Sequence, residues 1–266
     1  MLKQRVLTAV IGLPLFLLLL YFGGIPLAVV ILAASLLGLF EYLRCLGTEK
    51  GPLFPILAVL TVLTFVLAYF CGEESLVFGI VLCFLSLACC MVLRFGKTDL
   101  VNVTGAFLGF VYIPVILVLF LMLREKSIWY VPMVLIAAWG SDTCAYFAGK
   151  ALGKHKMAPV LSPKKTWEGF FGGILGAALL ALLYAFLLRD RFSLPAPVLS
   201  VTVITALASV FGVTGDLFAS AIKRTYGKKD YGNVFPGHGG MMDRIDSMIF
   251  CTPVIYFAVK LLEKLW

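Results

Sequence analysis

Charge is what this chain has least of. Only 14% of its 266 residues are Asp, Glu, Lys or Arg, whereas 62% are hydrophobic and the mean hydropathy is +1.04. That balance excludes an ordinary soluble domain. Histidine is nearly missing, with two copies, and the seven cysteines are odd in number and contain no C-x-x-C pair. Cys83, Cys89, Cys90, Cys144 and Cys251 lie inside apolar runs, so they read as small core residues rather than a disulfide frame or zinc site. The alternation of a membrane barrel is absent, as are repeats of fixed period, low-complexity tracts and any nucleic-acid module. The formal charge of +8 therefore points away from nucleic acid. Its cations sit between apolar runs, where they set topology and attract anionic lipid or nucleotide phosphate.

What the chain does have is long apolar runs, at about 6–22, 25–43, 53–70, 76–93, 104–123, 128–149, 169–188, 196–222 and 247–265. Each can cross roughly 30 Å of hydrocarbon at about 1.5 Å per residue, and backbone groups in lipid must pair internally, so each is expected to be a helix. The expected fold is all-α: a polytopic integral membrane bundle of about nine transmembrane helices in one membrane-embedded domain. Residues 1–123 are read as scaffold and 128–266 as the active-site half, with cytoplasmic loops 150–168 and 223–246. The first run follows Lys3 and Arg5 and is read as an uncleaved span, because a second begins at Ile25. Alternate loops hold most of the lysine and arginine, including Arg44, Arg94, the lysines between 150 and 165 and the cations between 223 and 244. The positive-inside rule then places the N-terminus and both long loops in the cytoplasm.

The most polar stretch is TGDLFASAIKRTYGKKDYGNVFPGHGGMMDRID, Thr214–Asp246. A helix continuing to about Lys223 puts Asp216, Ser220 and Lys223 or Arg224 on one face, and Gly227 is placed to end it. A glycine-rich loop follows, and then a new helix whose first turn carries Asp243 and Asp246 at i, i+3. Oxygen ligands without a His/Cys cage suit Mg²⁺, as one or two cations, sharing its shell with phosphates. The plainer reading of the Asp243 and Asp246 pair is a charge arrangement at a helix N-terminus. Asp142 lies inside an otherwise apolar helix and needs a partner or a wet cavity; a helix-packing hydrogen bond is its alternative. Ser162, Lys164, Lys165, Thr166, Trp167 and Glu168 form a polar knot before the next span, where unpaired amides and basic groups favour an anion. His155 is read as a solvated loop residue. Glu41 is read as half of an interfacial pair with Arg44, three positions on.

From Ser220 to Asp246 the chain meets S-x-x-K-R-x4-K-D-x-G-x2-[LIF]-[PG]-x-H-G-G-x2-D-R-x-D at every fixed position. It thereby resembles the phosphatidate cytidylyltransferases, the CDP-diacylglycerol synthases, and SDT-x-AY and SPKKTWEG resemble the same family. The resemblance implies a reaction of CTP with phosphatidate to give CDP-diacylglycerol and pyrophosphate. Lys223, Arg224, Lys229, Asp230, His238, Arg244 and Asp142 are then expected to serve catalysis. Ser162, Lys164, Lys165, Thr166, Ser220, Lys228, Gly239 and Gly240 are expected to bind substrate, and Asp216, Asp243 and Asp246 to hold Mg²⁺. CTP, phosphatidate and membrane lipids are the expected partners, with no nucleic acid, and a homodimer is compatible with such a bundle. A transporter or flippase for an anionic solute is the alternative, with intramembrane Asp142 and Asp216 marking a path. A CDP-alcohol phosphotransferase or prenyltransferase would bring aspartate-rich motifs that are not found.

Overall fold

A computed structural model describes Gly12, residues 14–234 and residues 239–265. Among the described residues eight helices are long and apolar enough to cross a membrane, and each coincides with one of the expected spans after the first. Much of that first run falls outside the described residues; residues 14–22 are helical.

The chain divides into two compact units. The first comprises Met1–Glu125 and Tyr226–Arg244. It holds α1 (Gly24–Leu46), α2 (Leu53–Cys71), α3 (Glu74–Leu93) and α4 (Leu100–Lys126) as far as Glu125. Leu27, Leu39, Leu57 and Phe110 are fully buried between these helices, while Phe78 and Phe84 point outward, as suits side chains facing hydrocarbon. Gly47 ends α1 at φ +78, a conformation a side chain would resist, and the Asp99 carboxylate caps α4 by accepting from the Asn102 amide at 2.7 Å. Pro114 lies in a π-helical turn of α4, Val111–Val115. Proline has no N–H to give and crowds the preceding turn, so the ladder widens there.

The second unit comprises Lys126–Thr225 and Ile245–Trp266. Its helices are α5 (Ile128–Leu152), α6 (Trp167–Leu187), α7 (Pro197–Thr225) and, from Ile245 onward, α8 (Met242–Leu265). The buried face of α6 is a row of small residues one turn apart, Gly169, Gly173, Ala177, Ala181 and Ala185. Small residues let helix backbones approach closely in a membrane. A Cβ added at Gly173 would stand 3.0 Å from both the Ala145 methyl and the Ser141 hydroxyl of α5. On α7, Gly215 serves the same end, since a Cβ there would lie 2.7 Å from the Asp246 carbonyl of α8.

Between α5 and α6 the expected loop is a short antiparallel hairpin of β1 (Lys156–Ala158) and β2 (Ser162–Thr166), pairing Lys156 with Thr166 and Ala158 with Ser162. A three-residue basic strand has too little apolar alternation to announce itself. Its anchor is the first turn of α6: the Thr166 hydroxyl accepts from the Gly169 amide at 3.2 Å, and the Trp167 amide donates to the His155 carbonyl at 3.0 Å.

Candidate active site

Where α5, β2, α6 and α7 converge, the second unit encloses a cavity of about 400 Å³. Asp142 enters it from α5 and Asp216 from α7, while the hairpin contributes Ser162, Lys164, Lys165 and Thr166. The π-helical turn Ile136–Gly140 ends two residues before Asp142, and the extra residue in such a turn rotates the face the following helix presents. Lys165 Nζ lies 2.7 Å from Asp216 Oδ2, both groups being partly buried at 21% and 31% exposure. The pair joins residues that the sequence treats separately, one as a phosphate contact and one as a metal ligand. Thr166 is nearly buried; its hydroxyl caps α6, so its first task is to fix the strand-to-helix corner on which Lys164 and Lys165 stand.

His155 is exposed as expected but is not simply solvated. Its Nδ1 lies 2.7 Å from Glu168 Oε1, and its amide donates to the same carboxylate at 3.2 Å. This ties the approach to β1 to the start of α6. Apolar walls come from Met157, Phe170 and Val213, and none of these was legible as site residues, because apolar residues in apolar runs carry no signal.

In the same unit Asp246 is 8% exposed, accepts from the Ser247 amide at 2.7 Å, and lies within electrostatic reach of Asp216, Lys223 and Asp142. Lys223 is likewise 8% exposed, whereas Arg224 lies on the open side of the same turn. Ser220 is half-buried one turn earlier.

The remaining expected residues belong to the first unit. Asp243 turns its carboxylate back on the loop: Oδ2 accepts from the Gly240 and Tyr231 amides, each at 3.0 Å. Gly239 adopts φ +85, which favours glycine at that position, and Gly240 is buried. Tyr231 is buried at 2% exposure, and burial pushes its hydroxyl far above the usual phenol range, so it stays neutral. Lys229, Asp230 and Arg244 are exposed, and Lys228 donates to the Arg44 carbonyl. His238 lies outside the described residues. Glu41, read as the partner of Arg44, makes no ion pair among the described residues; it is 2% exposed and accepts from the Met242 amide at 3.0 Å.

Known proteins bear on this arrangement. The chain is 36% identical over 273 residues to a phosphatidate cytidylyltransferase of Bacillus subtilis, with 97% of this chain and 98% of that protein covered. It is 32% identical to the phosphatidate cytidylyltransferases of Staphylococcus epidermidis over 256 residues and Staphylococcus aureus over 257, covering 95% of this chain and 97% of each. Residues 3–262 match the cytidylyltransferase family. From that match, spanning nearly every helix and both polar stretches, the chain belongs to the cytidylyltransferase family.

Proposed function

We propose that this chain is an integral-membrane phosphatidate cytidylyltransferase, converting CTP and phosphatidate to CDP-diacylglycerol and pyrophosphate. The observation that carries the reading is the cavity of the second unit. There lysines, carboxylates and hydroxyls converge at the ends of membrane-length helices in a chain of the cytidylyltransferase family. Family membership decides against the transporter reading, which the sequence left open.

In the reaction a phosphate oxygen of phosphatidate attacks the α-phosphorus of CTP and forms a new P–O bond. The bond from that phosphorus to the α–β bridging oxygen breaks, and its electron pair leaves with pyrophosphate. A phosphate dianion is already nucleophilic, so no general base is required. What the protein must supply is positioning and charge neutralisation. Lys164 and Lys165 meet the phosphates in the cavity, where Lys165 can exchange Asp216 for a phosphate oxygen as substrate enters. Lys223 and Arg224, at the end of α7, answer the charge accumulating on pyrophosphate. The corresponding roles of Lys228, Lys229, Asp230, His238 and Arg244 rest on the signature alone.

A divalent cation fits the donor set. Asp142, Asp216 and Asp246 offer hard oxygen ligands in mutual electrostatic reach, with the cations Lys165 and Lys223 beside them. Among the described residues no three His, Cys, Asp or Glu side chains are placed to hold a metal ion by themselves, so any cation would be held by fewer protein ligands. That suits Mg²⁺, which is held by one or two carboxylates and completed by water and substrate phosphates. Bound there, Mg²⁺ would supply charge neutralisation at the transferring phosphoryl group. Asp216 and Asp246 are the residues proposed to hold it, and for Asp243 the same role rests on the signature.

The lysine and arginine distribution supports a cytoplasmic N-terminus, with 150–168 and 223–246 in the cytoplasm. A homodimer is part of the same proposal, and cross-linking in native membranes reads it. The activity itself is tested with purified protein in detergent and Mg²⁺: pyrophosphate should be released from CTP only when phosphatidate is present. Release independent of the lipid, or none with both substrates, contradicts the proposal.

A further inference from the structure

Helix α8 begins at Met242. The residue before it is Met241, whose thioether cannot serve the amides that every helix leaves unpaired at its N-terminus. The acceptor comes instead from α1: Glu41 Oε2 takes the Met242 amide at 3.0 Å, from a residue 201 positions away in the sequence. A carboxylate at a helix N-terminus also meets the positive end of the helix dipole. Glu41 is 2% exposed, and its Oε1 has no hydrogen-bond partner among the described residues. So costly a group in an apolar helix needs a reason.

Its surroundings supply one. Gly232 and Gly240 both lie directly against the carboxylate, and a Cβ added at either would overlap it. The same end of α1 holds the loop twice more: the Arg44 guanidinium donates to the Tyr231 carbonyl at 3.3 Å, and Lys228 Nζ donates to the Arg44 carbonyl. Tyr231 and Gly240 are also the two residues whose amides Asp243 accepts. Glu41 therefore touches Gly240, one of the two residues that fix Asp243, while Arg44 on the same helix end holds the other.

We infer that Glu41 is a positioning residue for residues 226–234 and 239–244: it caps α8 from another helix and sets the backbone that presents Lys229, Asp230 and Asp243. This rests on the proposed cytidylyltransferase reaction insofar as that loop serves it. The test compares Glu41→Ala, Glu41→Gln and Gly232→Ala with the unchanged protein, reading hydrogen exchange in detergent together with kcat and KM for CTP. In Glu41→Ala, exchange should quicken about tenfold in peptides from 228–234 and 239–246 while peptides from α5 to α7 stay unchanged. The same variant should lose about tenfold to hundredfold in kcat with KM moved less than about threefold. Glu41→Gln keeps an acceptor oxygen for the Met242 amide and should return both readings to within about threefold of the unchanged protein. Gly232→Ala displaces the carboxylate from the other side, keeps Glu41, and should reproduce the Glu41→Ala pattern; it also serves if Glu41→Ala does not fold. Unchanged exchange in those peptides, or faster exchange with full kcat, overturns the inference. An inactive unchanged protein would instead count against the proposed reaction, and the exchange measurement would still report on Glu41.

Discussion

At the scale of single residues the proposed chemistry leans most on Lys165 and Asp216, because the two charges pair at 2.7 Å in the cavity, both partly buried. Removing the lysine leaves Asp216 beside Asp142 with its nearest cation gone, and removing the carboxylate leaves the ammonium without its resting partner. Lys165→Met and Asp216→Asn should each lower kcat/KM by about a hundredfold, the scale seen when one preorganised charge contact is lost. The double variant should lose clearly less than the two effects summed, since both disable one arrangement; strictly additive losses would show that the pair does not act as a unit. Asp190→Asn is the control. That carboxylate is 92% exposed, with Arg189 at 3.7 Å, and its removal should leave turnover within about twofold, as expected of an exposed pair. At this scale the sequence named both partners of the ion pair but not the pairing, because spacing along a chain says nothing of contacts across elements. Glu41 shows the opposite failure. Its i, i+3 neighbour Arg44 supplied an adequate local explanation, while the actual hydrogen bond reaches across the sequence to Met242.

The site's precision comes from how α5 and α6 meet, at the level of whole elements. The row from Gly169 to Ala185 brings α6 against α5, and the Thr166 cap starts α6 at the corner where β2 delivers Lys164 and Lys165. Gly173→Leu should force the helices apart and destabilise the protein by about 1–3 kcal/mol, the cost of overpacking a tight contact. A lower thermal midpoint in detergent would report it, and an unchanged midpoint would mean the helices do not meet through that residue. Thr166→Ala should cost about 1 kcal/mol as a lost N-cap and also raise KM for CTP, because the lysines lose their fixed corner. A stability loss with unchanged KM would confine Thr166 to capping. Helix positions were legible because apolar runs of spanning length leave the backbone no other option in lipid. The hairpin was not, being short, basic and stabilised by contacts with Glu168 and Gly169 rather than by its own pattern.

Across the second unit as a whole, polar function and structural anchoring separate to opposite helix ends. Asp142 lies late in α5, Gly169 and Phe170 early in α6, Asp216 and Lys223 late in α7 and Asp246 early in α8, as alternating crossings require. At the far ends of α5 and α8, Glu263 receives Lys126 Nζ at 2.6 Å and the Tyr130 hydroxyl at 3.0 Å. Reporter cysteines at Lys156 and Lys228 should therefore react only from the cytoplasmic side, as the charge distribution predicts; labelling of the two from opposite sides would refute that topology. The chemistry assigned to the cavity is tested most directly by label transfer. With CTP labelled at the α-phosphorus, phosphatidate and Mg²⁺, the unchanged protein should move label into lipid, and folded Lys165→Met should do so about a hundredfold more slowly. Label entering lipid at the same rate in both proteins would contradict the account.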